Sequence, residues 1–181
     1  MLMSLRFLIV STIALGFLYP IFITVMGTIF FSAKTSGSLL FIDGKVRGSH
    51  LIAQPFKDSK YFFPRPSKGD FTPLPSQASN YAPTSKTHLD QIHIWIKEHP
   101  EYQNIPEMLT YSGSGLDPHL SVAAIMAQLP RVIRARNLDD SKQEQLRQKI
   151  QDLTQHPWHK ILGQERINVL DLNLAMDQTG M

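Results

Sequence analysis

Cysteine is absent from the 181 residues, so no disulfide framework, thiolate nucleophile or cysteine-ligated zinc or iron–sulfur centre can form. Charge is absent from one end, where Arg6 is the only charged side chain before Lys34. A strong excess of either sign is also missing. Lys and Arg number 18 against 15 Asp and Glu, a formal net charge of +3. The basic residues are interleaved with acids along the polar part, which argues against nucleic acid as a partner. No G-x-x-x-x-G-K-[ST] occurs, so the loop that cradles phosphates in common nucleotide-binding proteins is missing. There is no internal repeat and no low-complexity tract, and the length allows at most one ordinary domain.

What the first part has instead is a long apolar run, FLIVSTIALGFLYPIFITVMGTIFFSA, from residue 7 to residue 33. About 20 apolar residues cross a ~30 Å hydrocarbon layer as a helix, so this run is long enough to span with some tilt. Its interruptions, Ser11, Thr12, Gly16, Pro20, Thr24, Gly27 and Thr28, are residues that membrane helices tolerate. A cleaved signal peptide is the competing reading, but its apolar region is ~7 to 15 residues, and a site after Ala33 would have Phe31 where a small residue is wanted. The pattern predicts an uncleaved anchor over residues 1–33 and one polar domain over 34–181. Arg6 precedes the span and Lys34, Lys45 and Arg47 follow it, so the positive-inside rule does not settle orientation. A short tail before a long apolar stretch favours a cytoplasmic N-terminus, with the domain outside the cell (inner) membrane.

Residues 37–54 pair two apolar runs around an Asp43-Gly44 turn signal and predict a hairpin. From residue 55 to 83 the chain carries Pro55, Pro64, Pro66, Pro73, Pro75 and Pro83 with Phe56, Tyr61, Phe62, Phe63, Phe71 and Tyr81. Proline removes donors, and the aromatics oppose disorder, so the stretch reads as ordered loop. Leu89, Ile92 and Ile96, with Thr84 or Ser85 as cap and Pro100 as stop, predict a helix over 85–99. Ser121 caps a helix over 122–129, which Pro130 kinks or ends before residues 131–137 continue it. Leu146, Ile150 and Leu153 predict a helix over 139–154, and the alternation in RINVLDLNL predicts a strand over 166–174. The fold class is α+β: one transmembrane helix followed by one mixed helix and strand domain.

Chemistry is scarce. Ser112-Gly113-Ser114-Gly115 fails the G-x-S-x-G pattern of a nucleophile elbow, and Asp117-Pro118-His119 reads as the turn before a capped helix rather than as part of a proton relay. His88, His93 and His99 do not share a helix face and His156 and His159 meet only weakly, so no metal site is expected. Asp177-Gln178-Thr179-Gly180 approaches the D-K-T-G motif of cation-pumping ATPases, but glutamine replaces its lysine and the chain is too short for such a pump. Arg131, Arg134 and Arg136, with Asp139 and Asp140 beyond, read as a solvated helix face with local ion pairs rather than a phosphate or acidic-partner site. Arg65, framed by Pro64 and Pro66, suits a fixed bidentate contact within the domain or with a partner.

Taken together, several stretches resemble the KdpC subunit family of potassium-transporting ATPases. They are Gly48-Ser49, Leu51-Ile52 and Gln54, then Phe56, Tyr61-Phe62 and Arg65-Pro66-Ser67, then Ser79-Asn80 and Pro83. The loop Ser112-Gly113-Ser114-Gly115-Leu116-Asp117-Pro118-His119 follows, then Gln128, Pro130-Arg131-Val132, Ala135-Arg136, Asn168-Val169 and Leu172-Asn173-Leu174. The chain departs from the family at Gln77-Ala78, Ala82 and Val122, which bears on loop conformation only.

The resemblance implies a subunit, catalysing nothing itself, of an ATP-driven potassium-uptake complex with a P-type ATP-hydrolysing subunit and a channel-like subunit. It implies a catalytic chaperone that raises the ATP affinity of the hydrolysing subunit, with no covalently bound cofactor. A domain outside the membrane cannot touch cytoplasmic ATP, so coupling would pass through helices or the channel-like subunit. The candidate partner or nucleotide contacts are Gln54, Arg65, Ser79, Asn80, Ser112, Gly113, Ser114, Gly115, Asp117, Arg131 and Asn168, with Gly113 and Gly115 expected at positive φ. Two other classes remain open: a tethered hydrolase using Ser112 or Ser114 with His119, and an anchored binding module presenting residues 55–83.

Overall fold

The computed structural model describes residues 2–42, 44–157 and 163–181. They form two compact units, Met1–Ser49 and His50–Met181.

In the first unit a single helix, α1, runs Leu2–Phe30. It begins before and ends earlier than the charge-free run, because Phe31 leaves helical geometry at φ −135°. At about 1.5 Å per residue it exceeds a ~30 Å hydrocarbon layer, and none of its residues is buried by the protein. Pro20 offers no N–H to the ladder, and the preceding turn, Ala14–Leu18, widens into a π-helix that accommodates the ring. Thr24 and Thr28 return their hydroxyls to the carbonyls of Pro20 and Thr24, each at 2.8 Å, so neither presents an unpaired donor on the apolar surface. A short helix, α2 (Ser32–Thr35), leads into strands β1 (Leu39–Ile42) and β2 (Lys45–Ser49), which pair antiparallel as the hairpin the sequence predicts. Gly44 turns it at φ +71°, and Asp43 lies outside the described residues.

The second unit opens with loop through residue 85, then α3 (Lys86–Glu98) and two 3₁₀ turns, Pro100–Tyr102 and Pro106–Met108. Next come β3 (His119–Leu120), α4 (Val122–Arg136), α5 (Asp140–Leu153), β4 (Ile167–Asn168) and α6 (Val169–Gln178). Ser121 caps α4 by accepting the Ala124 N–H at 3.2 Å, and Asp139 caps α5 through the Lys142 N–H at 2.8 Å. The core is Phe62 with Leu120, Ile125, Leu129, Val132, Leu146, Ile150, Ile167, Leu172 and Met176.

Two expectations fail here. α4 continues through Pro130 as one helix rather than two: the ladder bond that Pro130 cannot make would reach Met126, and both residues sit on the exposed side, so the missing bond does not fall in the core. The strand expected over 166–174 is only β4, and helix follows. Asn168 ends the strand by accepting the Leu170 and Asp171 N–H groups, and Val169, Leu172, Asn173 and Met176 then share one buried helical face.

Residues 59–63 hold the loop region to the helices. The Asn173 carboxamide accepts the Phe62 N–H and donates to the Phe62 carbonyl, both at 2.9 Å, in the manner of a neighbouring strand. Gln128 does the same for Phe63, at 2.8 and 3.0 Å. Both side chains are buried, and each pairs a backbone donor and acceptor that would otherwise be stranded in the core.

Candidate functional site

The glycine-bearing loop 111–119 has the geometry its residue types require. Gly115 sits at φ +71°, and a Cβ there would lie 2.7 Å from the Gln77 carbonyl oxygen, so only glycine lets the two loops approach. Gly113 is not at positive φ and has open space around it, contrary to expectation, because the turn is completed one step later, by the Gly115 N–H on the Ser112 carbonyl. Ser112 is buried, and its hydroxyl accepts the Asp117 N–H at 3.5 Å, while Ser114 accepts the Leu116 N–H at 3.1 Å. The loop then ties outward: the Leu116 carbonyl accepts from Ala53 N–H and the Pro118 carbonyl from Val169 N–H, each at 2.9 Å.

Asp117 is the electrostatic centre. Its carboxylate faces His119 Nδ1 at 3.4 Å, accepts the His119 N–H at 3.0 Å and lies 3.9 Å from the Arg65 guanidinium. The His119 side-chain hydrogen bond, then the His119 N–H and the Arg65 charge, hold its pKa below the ordinary carboxylate value against partial burial. Arg65 also donates to the Thr110 hydroxyl at 3.2 Å and the Tyr111 carbonyl at 3.1 Å, so its fixed contact is made within the unit. Ser112, Gly113, Ser114, Asp117 and His119 line an open groove of about 500 Å³ together with Leu51 and Ile52. His119 makes no hydrogen bond to Ser112 or Ser114 among the described residues.

The remaining candidates are spread out. Gln54 does not line the groove, and its carbonyl accepts the Phe56 N–H at 3.0 Å. Ser79 accepts the Tyr81 N–H at 3.5 Å, and Asn80 adopts φ +54°. Asn168 caps α6 and donates to the His50 carbonyl at 2.7 Å. Arg131 stands apart from the loop. It stacks on Phe63 at 3.9 Å and donates to the Tyr61 carbonyl at 3.0 Å and to Gln128 at 2.8 Å. Arg136 donates to the Lys60 carbonyl and pairs with Asp177 at 2.8 Å, and Asp177 also accepts the Tyr61 hydroxyl at 2.9 Å. These arginines clasp residues 59–61 instead of forming a solvated face paired with Asp139 and Asp140, since Asp139 is occupied as a cap. His156 pairs with Glu165, and His159 lies outside the described residues. Among the described residues no three His, Asp or Glu side chains gather as metal ligands.

Sequence reasoning missed Gln128, Asn173 and Glu107 as positioning residues. Gln128 and Asn173 are polar residues on otherwise apolar faces, which was their legible signal; Glu107, which accepts the Ser121 N–H at 3.1 Å, offered none.

Comparison with known proteins decides the family. Residues 1–178 match the family described as "KdpC: K+-transporting ATPase, c chain". The chain belongs to the KdpC family. Proteins named "Potassium-transporting ATPase KdpC subunit" include one from Xanthomonas oryzae pv. oryzae, 38% identical over 183 residues, covering 98% of this chain and 86% of that protein. One from Xanthomonas campestris pv. campestris is 41% identical over 174 residues, covering 93% and 82%. One from Mycobacterium tuberculosis is 38% identical over 187 residues, covering 98% and 97%. As a KdpC-family chain with one apolar helix of spanning length, it is a single-pass, membrane-anchored subunit of a potassium-transporting ATPase. The stretches that carry the KdpC resemblance are, in this structure, largely the ones that close the folded unit. Ser67 accepts the Phe71 N–H at 2.9 Å, Gly115 meets residue 77, and Asn168 and Asn173 cap and clamp.

Proposed function

We propose that the chain is a non-catalytic subunit that stabilises an ATP-driven potassium-uptake complex and raises the ATP affinity of its P-type hydrolysing subunit, with a channel-like subunit as the other partner. The N-terminus is cytoplasmic and the folded unit lies outside. The observation that carries this reading is the loop 112–119. Its serine hydroxyls and Asp117 are occupied by the loop's own backbone and by Arg65, which makes a shaped surface rather than a nucleophile with a base. A folded unit outside the membrane is separated from cytoplasmic ATP, so its influence travels through α1, whose apolar surface the chain itself leaves uncovered. ATP belongs to the complex, and no nucleotide contact is assigned to the folded unit.

The test is the ATP dependence of potassium-stimulated hydrolysis in complexes prepared with and without this chain. The expected result is an ATP KM at least about fivefold higher without it, a coupling of ordinary size. An unchanged KM in an intact complex would contradict the chaperone role. Ser112→Ala and Ser114→Ala are expected to leave hydrolysis unchanged.

A second reading has one observation behind it. Phe56, Phe63, Phe71, Trp95 and Tyr102 line a groove of about 260 Å³ beside Arg65, a surface suited to an anchored binding module for another partner outside the membrane. Recovery of a partner other than the pump subunits, lost on Trp95→Ala, would favour it.

A further inference from the structure

The hairpin β1–β2 leaves its apolar side chains uncovered. Leu39, Phe41, Ile42 and Val46 are 40%, 61%, 38% and 54% exposed. Phe41 stands opposite Val46 across the pair, beside a register shift between Leu40 and Phe41. An isolated two-stranded hairpin is marginal in water, and one carrying a bare phenylalanine–valine pair is an aggregation hazard unless something covers it.

Three features of the same unit say what the cover is. First, the chain does not leave the end of α1 freely. Thr35 packs back against Gly27, one turn inside the helix, where a Cβ on that glycine would lie 3.3 Å from the Thr35 methyl. Second, the connection is stiff: Ser36, Gly37 and Ser38 donate to the carbonyls of Ser32, Lys34 and Ala33, and the Ser49 hydroxyl donates to the Gly37 carbonyl at 2.7 Å, closing the hairpin's base on that turn. Even fully extended, the chain from Phe31 to Leu39 spans at most about 29 Å, and the turn shortens it. Third, the flanking charge is basic. Lys34, Lys45 and Arg47 surround the hairpin, and Asp43 is the one acid before Asp58.

We infer that β1–β2 is a membrane-interface element: Phe41, Val46, Leu39 and Ile42 lie at the boundary of headgroups and acyl chains, and Lys34, Lys45 and Arg47 meet the phosphates of anionic phospholipids. The inference rests on α1 crossing the bilayer and is independent of any effect on ATP. Cations beside an anionic surface and apolar side chains at its acyl boundary each favour the same placement. Phe31, under Lys34 at 5.9 Å, continues the same belt at the helix exit.

The absence of cysteine makes the test direct. Phe41→Cys and, as reference, Leu74→Cys (87% exposed) are labelled with an environment-sensitive fluorophore in the full chain. The chain is then reconstituted into vesicles of equimolar phosphatidylcholine and phosphatidylglycerol. Expected is quenching of the label at position 41, and not at 74, by phospholipids spin-labelled near the top of the acyl chain, with position 41 shielded from aqueous iodide. Iodide access at 41 equal to that at 74 would overturn the inference. Shielding from iodide without quenching by spin-labelled lipid would overturn it as well, since protein would then be the cover. A Lys45→Glu/Arg47→Glu chain labelled at 41 is expected to gain about twofold or more in iodide access; unchanged access would remove the headgroup contacts.

Discussion

The two units of this chain use the same residue types to opposite ends. In the 50–181 unit a phenylalanine, Phe62, is wholly buried, and its backbone N–H and carbonyl are both paired by the Asn173 carboxamide of α6. In the Met1–Ser49 unit Phe22 is 59% exposed, and no residue of α1 is buried. One unit completes its own interior; the other is completed only by what surrounds it. The difference teaches where function and stability part. Substitutions in the second unit's core are expected to act on folding, and those on α1 on association with lipid or subunits.

That comparison can be broken. The largest effect is expected from Phe62→Ala, which opens a cavity at the centre of the core and should cost about 4 kcal/mol, read as a fall in the denaturant midpoint of the chain in detergent. Ile21→Ala on α1, 58% exposed, is expected to leave that midpoint within about 0.5 kcal/mol of the parent. Equal effects would erase the distinction. Next is Asn173→Leu, which keeps volume but strands the N–H and carbonyl of Phe62; the expected loss is about 3 kcal/mol by the same measurement.

A smaller effect separates the two loop glycines. Gly115→Ala meets both positive φ and the Gln77 carbonyl and should lower stability by about 2 kcal/mol, whereas Gly113→Ala should change it by less than about 0.5 kcal/mol. Similar losses at both would mean the backbone contact at residue 77 is not what fixes the loop.

The smallest expected effect concerns pH. Asp117 has its folded pKa lowered by His119 and Arg65. Its contribution is therefore complete above the unfolded carboxylate value near 4 and is lost as pH falls through the lower folded value. Asp117→Asn should flatten the stability profile below about pH 4 and leave its shape near neutrality unchanged. A parallel downward shift at all pH values would point to a purely steric role.

Much of this was legible in advance, and the failures have definite causes. The helices at Lys86–Glu98 and Asp140–Leu153 followed from their apolar spacing, with Ser85 at the N-cap position of the first although its side chain makes no capping hydrogen bond. α6 was misread because RINVLDLNL alternates; extended to Met176, the same residues show the helical spacing of Val169, Leu172, Asn173 and Met176. Pro130 was overweighted, since the cost of a missing ladder bond depends on whether the free carbonyl faces water, which sequence does not display. Arg65 read correctly as a fixed contact in its stiff proline frame, although it reaches Thr110 and Tyr111 through one nitrogen, Nη2, rather than through the bidentate fork expected. Arg131 and Arg136 did not, because their acceptors are backbone carbonyls some seventy residues away. A long-range carbonyl leaves no trace in composition or spacing.

The most direct measurement is recovery of the tagged chain from crosslinked native membranes, with the eluate assayed for potassium-stimulated ATPase activity. The account predicts co-elution of a large P-type subunit and a channel-like subunit, with activity that falls when this chain is absent. Elution of the crosslinked chain alone, without that activity, would contradict it.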